Sequence, residues 1–464
     1  MVSEPVLIKQ ILVKEFYKFR NRPKPVDRPH DSGEILFDAR DDHWKRIRAI
    51  ASPAFTSGKL RRMYPLIDEC CRDFLAALDR DVVSATSGHL EVDIKRVMSA
   101  FTMDVIASTS FATKTNTYSD PNNPFITTVK GIIDKNRWQI LLDTVLPTFM
   151  TQNPVYKPRT SDGTSGFAFI IDVSRRLISE RKKSGHKRHD LLQLLIDAEK
   201  EADNSSSNET VKSGPKSTAT TDAVDTGGHH VNKGVDELMA EKQALSGVAA
   251  KRLTEAEIVA QCLLFFIVGY ETTATTLSYC TYELALNPDI QDMLVAETAE
   301  AVDEDTGDID YETLCRLPYL DAVISETLRH YPTSLRLERE AMDEVVLSTG
   351  GSDLKCDKGV VVNIPVYAIH HDPDHYPDPF AFKPDRFLAH NRHHIKPYTY
   401  LPFGAGPRNC IAIRFALLEA KLAMVKLVNQ FRFYRVPDTD VPATFYPGRN
   451  VITAQRLILG VEKR

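Results

Sequence analysis

The segment YLPFGAGPRNCIAIRFALLEAK, from Tyr400 to Lys421, decides how this chain is read. A glycine-rich turn delivers one cysteine, Cys410, to the start of a run whose apolar residues recur at three and four, the period of an amphipathic helix. A cysteine at a helix N-terminus sits at the positive end of the dipole, beside backbone N–H groups without intrahelical partners, and this favours thiolate over thiol. Gly404 and Gly406 let the backbone pass close to a flat ligand, and Arg408 brings a cation that suits a carboxylate. Two plainer readings compete. A lone cysteine is usually a small core hydrophobe, and a Gly-x-Gly turn before a helix also cradles phosphate. The phosphate reading is weak, because Asn409 stands where a dinucleotide fingerprint needs its third glycine and no Lys-Ser/Thr pair follows.

Outward from this loop, helical periodicity dominates: SGKLRRMYPLIDECCRDFLAAL, FIIDVSRRLISERKK and LTEAEIVAQCLLFFIV share it, while strand-like runs such as KGVVVNIPVYAI are few. The expected fold is mainly α with a smaller β portion, in one domain over 1–464. From Lys200 to Lys251 the chain turns to Ser, Asn, Thr, Gly, Asp and Lys, a composition that cannot offset its ordering entropy, so 200–251 is expected to be a disordered insertion. A net charge of -5 over 464 residues excludes the broad basic field of a nucleic-acid binder. Seven cysteines without a CxxC pair fit neither a disulfide framework nor a zinc site, and a reducing compartment follows. The sequons at Asn204 and Asn208 are therefore expected to be unused, and the opening MVSEPVLIKQ does not resemble a signal peptide. The longest apolar run, Ile258 to Gly269, is shorter than a bilayer span and reads as a buried helix. His229, His230, His370, His371, His393 and His394 read as solvated rather than metal-binding.

The loop sequence FGAGPRNCIAIRFAL resembles the cysteine signature of the cytochrome P450 family, F-x-x-G-x-R-x-C-x-G, with Ala412 in place of the last glycine. Other motifs follow in the family's order. Glu326 and Arg329 in SETLRHYP, with Arg386 in FKPDRF, resemble its buried charge triad, whose role is structural. VGYETT, Val268 to Thr273, resembles its oxygen-activation motif, which implies catalytic roles for Glu271 and Thr272 in delivering protons. Trp44 and Arg48 resemble the W-x-x-x-R helix that reaches the haem propionates; the resemblance implies Arg408 as a further propionate partner and, with less support, Arg339 and Arg22, and Phe403 belongs to the loop beside them. The resemblance implies haem b (iron protoporphyrin IX) as cofactor, with Cys410 as the protein ligand to the metal.

The wording of ILVKEF, SPAFTSGKL, RLERE and PRNCIAIRFALLEAK is nearest to the animal microsomal family 3 and its thromboxane-synthase-like relatives. That implies a monooxygenase that takes a lipophilic small molecule, O2 and electrons from NADPH-cytochrome P450 reductase, on the cytosolic face of the endoplasmic reticulum membrane with peripheral membrane association. Ile35, Leu36, Leu264, Val268, Ser334 and Leu335 would border the substrate, and Lys45, Arg46, Lys421 and Lys426 would help dock the reductase. The match begins after the family's anchor, first helix and first strands, so the fold is expected to be N-terminally truncated, with an exposed sheet edge. Two alternatives stand beside the monooxygenase: a haem-thiolate isomerase, and a non-catalytic haem or lipid binder.

Overall fold

The computed structural model describes residues 1–23, 35–85, 88–120, 122–133, 166–184, 188, 190–200, 234–248, 252–348, 353–446 and 450–464. Its helices are α1 (Pro5–Lys9), α2 (Asp41–Ala51), α3 (Ser57–Ser84), α4 (Ile94–Phe111), α5 (Pro124–Ile133), α6 (Gly166–Ser184), α7 (Leu191–Lys200), α8 (Val235–Ala244), α9 (Glu255–Leu286), α10 (Pro288–Ala299), α11 (Tyr311–Arg316), α12 (Pro318–His330), α13 (Val366–His370) and α14 (Ile413–Gln430). Three small antiparallel ribbons accompany them: β1 (His89–Asp93), β7 (Ile458–Lys463) and β6 (Phe431–Tyr434) in that spatial order, β2 (Leu337–Glu340) with β5 (Val361–Ile364), and β3 (Val345–Ser348) with β4 (Asp353–Cys356). The mainly α expectation holds.

The core forms around α9, which is buried along most of its length and left partly open only at its start and end and around Ile267–Gly269, Glu271 and Thr272. Its start is fixed by a capping box in which Thr254 and Glu257 exchange side-chain and backbone bonds. It is long and apolar enough to cross a membrane, yet 72% of its most apolar window lies inside the protein. α4 runs against it, closely enough that a Cβ on Gly269 would stand 2.4 Å from Ile106 Cδ1. α14 packs behind and is buried around most of its circumference, charged residues included. This corrects two reductase-docking expectations. Lys421 is buried and pairs with Asp321 at 2.9 Å, and Lys426 is buried between Asp68 and Asp308 at 2.8 and 3.2 Å. Arg46 is committed to Glu257.

Two further expectations change. Within 200–251, residues 201–233 and 249–251 lie outside the described residues, as do Asn204, Asn208, His229 and His230, but 234–248 contains the ordered helix α8. Its formation follows local rules: Gly234 precedes it, Asp236 and Glu237 occupy the positive first turn, Lys242 lies in the last, and Gly247 ends the segment at φ +71°. His370, expected to be solvated, is fully buried: it donates from Nδ1 to the Arg329 carbonyl at 3.1 Å and accepts from the Leu401 N–H at 2.8 Å. At the β2–β5 ribbon, Glu340 N donates to Asn21 O at 2.9 Å and Val2 N to Asn363 O at 2.8 Å, so each outer edge has at least one backbone partner.

Candidate active site

The Cys410 loop is built by tight backbone approach. Gly404 and Gly406 both have φ of +72°, which favours glycine, and a Cβ on Gly406 would stand 1.9 Å from the Leu12 carbonyl oxygen. That carbonyl belongs to a single π-helical turn, Gln10–Lys14, continuing α1. The loop then closes on itself, Asn409 N donating to Gly406 O and Cys410 N to Phe403 O, both at 2.9 Å. Cys410 ends up at the foot of α14. Burial pushes its thiol up, opposed by a bond from the Ala412 backbone and by the nearby Arg48 and Arg22. The helix terminus alone therefore does not make the thiolate; a cationic metal would.

Cys410 forms the floor of a cavity of about 310 Å³. Trp44, Arg48, Arg339, Phe403, Arg408 and Thr272 line it, together with Arg22. Arg48, Arg339 and Arg408 are buried and Arg22 half-buried beside them, and the carboxylates that act on the group, Asp38 and Glu338 on Arg22 and Glu241 on Arg48, offset only part of the cost of burying it. Arg408 is pushed down to about 8 and Arg339 to about 9 by burial and then by neighbouring guanidinium groups; Arg22 falls to about 10 through burial and Arg48. Their contacts are partial. Arg408 donates to Ala39 O at 2.6 Å and lies 4.6 Å from the centre of the Trp44 ring, Arg48 donates to Asn409 O and Oδ1 at 2.8 and 2.7 Å, and Arg339 donates to Glu338 O at 2.8 Å. Arg48 Nε, Arg339 Nε, and Arg408 Nε and Nη1 remain buried with no hydrogen-bond partner. Such groups are costly to leave unpaired, and their convergence fits a planar ligand bearing carboxylates. The donors fit haem: a sulfur below, propionate partners at one edge, and glycines where the backbone must stay flat.

α9 lines the same cavity through Leu264, Val268, Gly269 and Thr272. Thr272 Oγ1 donates to the Val268 carbonyl at 2.8 Å, one turn back, so the hydroxyl is held at the helix surface facing the cavity. Glu271 is elsewhere. It does not line the cavity, and its Oε1 lies 2.6 Å from Lys95 Nζ of α4, which also donates to Thr275 at 3.3 Å. Sequence reading missed Lys95 and Thr102, whose hydroxyl donates to the Tyr270 carbonyl at 3.1 Å; their seven-residue separation on one helical face was the available signal. Of the substrate-facing expectations, Leu36, Leu264, Val268 and Ser334 line the cavity, whereas Ile35 and Leu335 pack into the core instead.

Elsewhere in the core Glu326 and Arg329 close on each other, with Arg386 as a looser third member whose Nε makes no hydrogen bond among the described residues. Arg329 bonds Glu326 through Nε and Nη2 at 2.7 and 2.8 Å and donates to His370 O at 2.8 Å; Arg386 lies 3.4 Å from Glu326. Lys383 N completes the carboxylate at 2.9 Å.

Comparison with known proteins agrees with this geometry. The Cytochrome P450 family profile matches residues 1–459. Cytochrome P450 3A2 of Rattus norvegicus is 35% identical over 95% of this chain and 78% of its own length, and cytochrome P450 3A7 of Homo sapiens is 34% identical over 100% and 82%. Cytochrome P450 9e2 of Blattella germanica is 32% identical over 100% of this chain and 83% of its own length. The chain belongs to the cytochrome P450 family, haem-dependent monooxygenases of the oxidoreductase class.

Proposed function

We propose that this protein inserts one oxygen atom from O2 into a lipophilic substrate, with electrons passed from NADPH through NADPH-cytochrome P450 reductase at the cytosolic face of the endoplasmic reticulum membrane. One observation carries the reading: a cavity with Cys410 at its floor, unpaired arginines at its edge and an apolar wall broken by the Thr272 hydroxyl. Cys410 would hold the haem iron, Arg48, Arg339 and Arg408 its propionates, and Trp44 and Phe403 its edge. Haem supplies the activation of dioxygen when bound, and a thiolate ligand favours O–O cleavage.

The chain's own groups do the rest. Leu36, Leu264 and Val268 exclude water and orient an apolar substrate by shape. Val268 sits where the family usually has alanine, and its extra bulk narrows the approach. Thr272 Oγ1, its own proton donated to the Val268 carbonyl, turns an acceptor oxygen to the cavity, while Glu271, kept outside by Lys95, would take up a proton from solvent before passing it on.

Recombinant protein tests the reading through its reduced, carbon-monoxide-bound spectrum. The thiolate-type Soret band is expected in the wild type and absent in Cys410→Ser; a band unchanged by that substitution would sink the assignment. Product formation should require both NADPH and reductase. Thr272→Ala should keep the band while lowering product formed per NADPH consumed.

A further inference from the structure

Helix α8 is folded inside out. Its buried side is Glu237, with half-buried Ala240 and Glu241 and then buried Ala244, while Val235, Leu238 and Met239 are 66%, 53% and 64% exposed. Apolar burial alone would turn the helix the other way, so polar contacts set its orientation. They are specific. Glu237 Oε1 accepts the Gly406 N–H at 2.7 Å in a buried setting, and Asp236 pairs with Lys9 at 2.8 Å. Glu241 faces Arg48 closely enough to oppose the lowering of that guanidinium by burial.

Gly406 is thereby gripped on two sides. The position of its missing Cβ is filled by the Leu12 carbonyl, and its amide is held by Glu237. Because Gly406 O in turn accepts from Asn409 N, and Cys410 N is bonded to Phe403 O, displacing Gly406 would shift the residue that carries the sulfur.

The geometry points to Glu237 as a positioning residue for the thiolate loop: α8 acts as a strap whose carboxylate fixes Gly406 and, through the loop, the place of the Cys410 sulfur. This rests on the reading of Cys410 as the haem ligand. A buried hydrogen bond to a carboxylate is worth more than a neutral one, and its loss leaves the Gly406 amide buried without an acceptor.

The test uses the full-length haem-loaded protein and two measurements: hydrogen exchange of the peptide spanning Phe403 to Cys410, and the lifetime of the thiolate-type band in mild denaturant. Glu237→Ala is expected to raise exchange of that peptide about tenfold and to shorten the band's lifetime several-fold, as loss of a buried charged hydrogen bond implies. Glu237→Gln keeps an acceptor oxygen and should stay within about twofold of wild type. Leu238→Ala, on the exposed side of the same helix, should also leave both unchanged. Should Glu237→Ala fail to fold, Glu237→Asp, one carbon too short to reach Gly406, carries the same expectation. Exchange and band lifetime unaltered in the alanine or aspartate variant would overturn the proposal, as would an equal effect from Leu238→Ala. A wild type lacking the thiolate band would instead defeat the haem-ligand reading, leaving the exchange measurement to judge the strap alone.

Discussion

Two clusters of buried arginines, one around Glu326 and one lining the Cys410 cavity, differ in how far their guanidinium groups are satisfied. Arg329 and Glu326 are fully buried and neither keeps a buried atom without a partner; their charges meet each other, the His370 carbonyl and the Lys383 amide. Arg48, Arg339 and Arg408 are nearly as deeply buried, yet four of their guanidinium nitrogens have no hydrogen-bond partner among the described residues. Burial of charge is common to both, so burial alone does not mark function. Under the proposed reading the closed cluster serves the architecture, and the open one would receive an anionic group from outside the chain.

The sharpest way to break this contrast is to open the closed cluster. Glu326→Ala strands Arg329 in the core and should cost about 3–5 kcal/mol of stability, read as a lost folding transition or a large fall in Tm. Next is acid. Burial, then Arg329, push His370 down to about 3, against an ordinary value near 6.5. Between those values the unfolded chain binds a proton that the folded protein refuses, so stability is full above about pH 6.5 and falls as pH drops below it. The loss by pH 5 should be about 2 kcal/mol from this residue, and denaturant unfolding of His370→Gln should show a flatter pH profile. In the open cluster the sign reverses. Arg408→Met should leave the haem-free protein as stable or more so, while weakening haem retention by about 1.5 kcal/mol, roughly tenfold, in transfer to apomyoglobin. The smallest effect is at Lys95→Met, whose pair with Glu271 is still partly solvated and should contribute no more than about 1 kcal/mol. That change should appear in the solvent isotope effect on turnover rather than in Tm.

Motif order made the Cys410 loop, the triad and the arginine set legible, because each depends on a few residue types at fixed spacing. The apolar run from Ile258 to Gly269 made α9 legible, since a stretch of helix without a charged face is driven into the core. What sequence reading misjudged was polarity. Lys421 and Lys426 suit a reductase-docking surface by charge alone, but α14 is enclosed and each finds an aspartate there. α8 was dismissed on composition, which weighs how much apolar surface a segment can bury and is blind to one glutamate with a backbone amide to hold. Glu271 sits beside Thr272 in sequence, but adjacent helical residues point about 100° apart, and Lys95 lay too far along the chain to betray where the carboxylate goes.

The contact between Leu12 and Gly406 joins two stretches of main chain nearly four hundred positions apart, and only one of them is restricted by it. Position 406 admits no side chain, whereas position 12 presents only its carbonyl and is indifferent to what residue bears it. Point substitutions at 12 should thus be tolerated to the extent that the surrounding core allows. Adding or deleting one residue between 10 and 14 would move the carbonyl off its mark, so mutational scanning should find the turn intolerant of changes in length even where an apolar replacement keeps the packing of the buried Ile11, Leu12 and Val13.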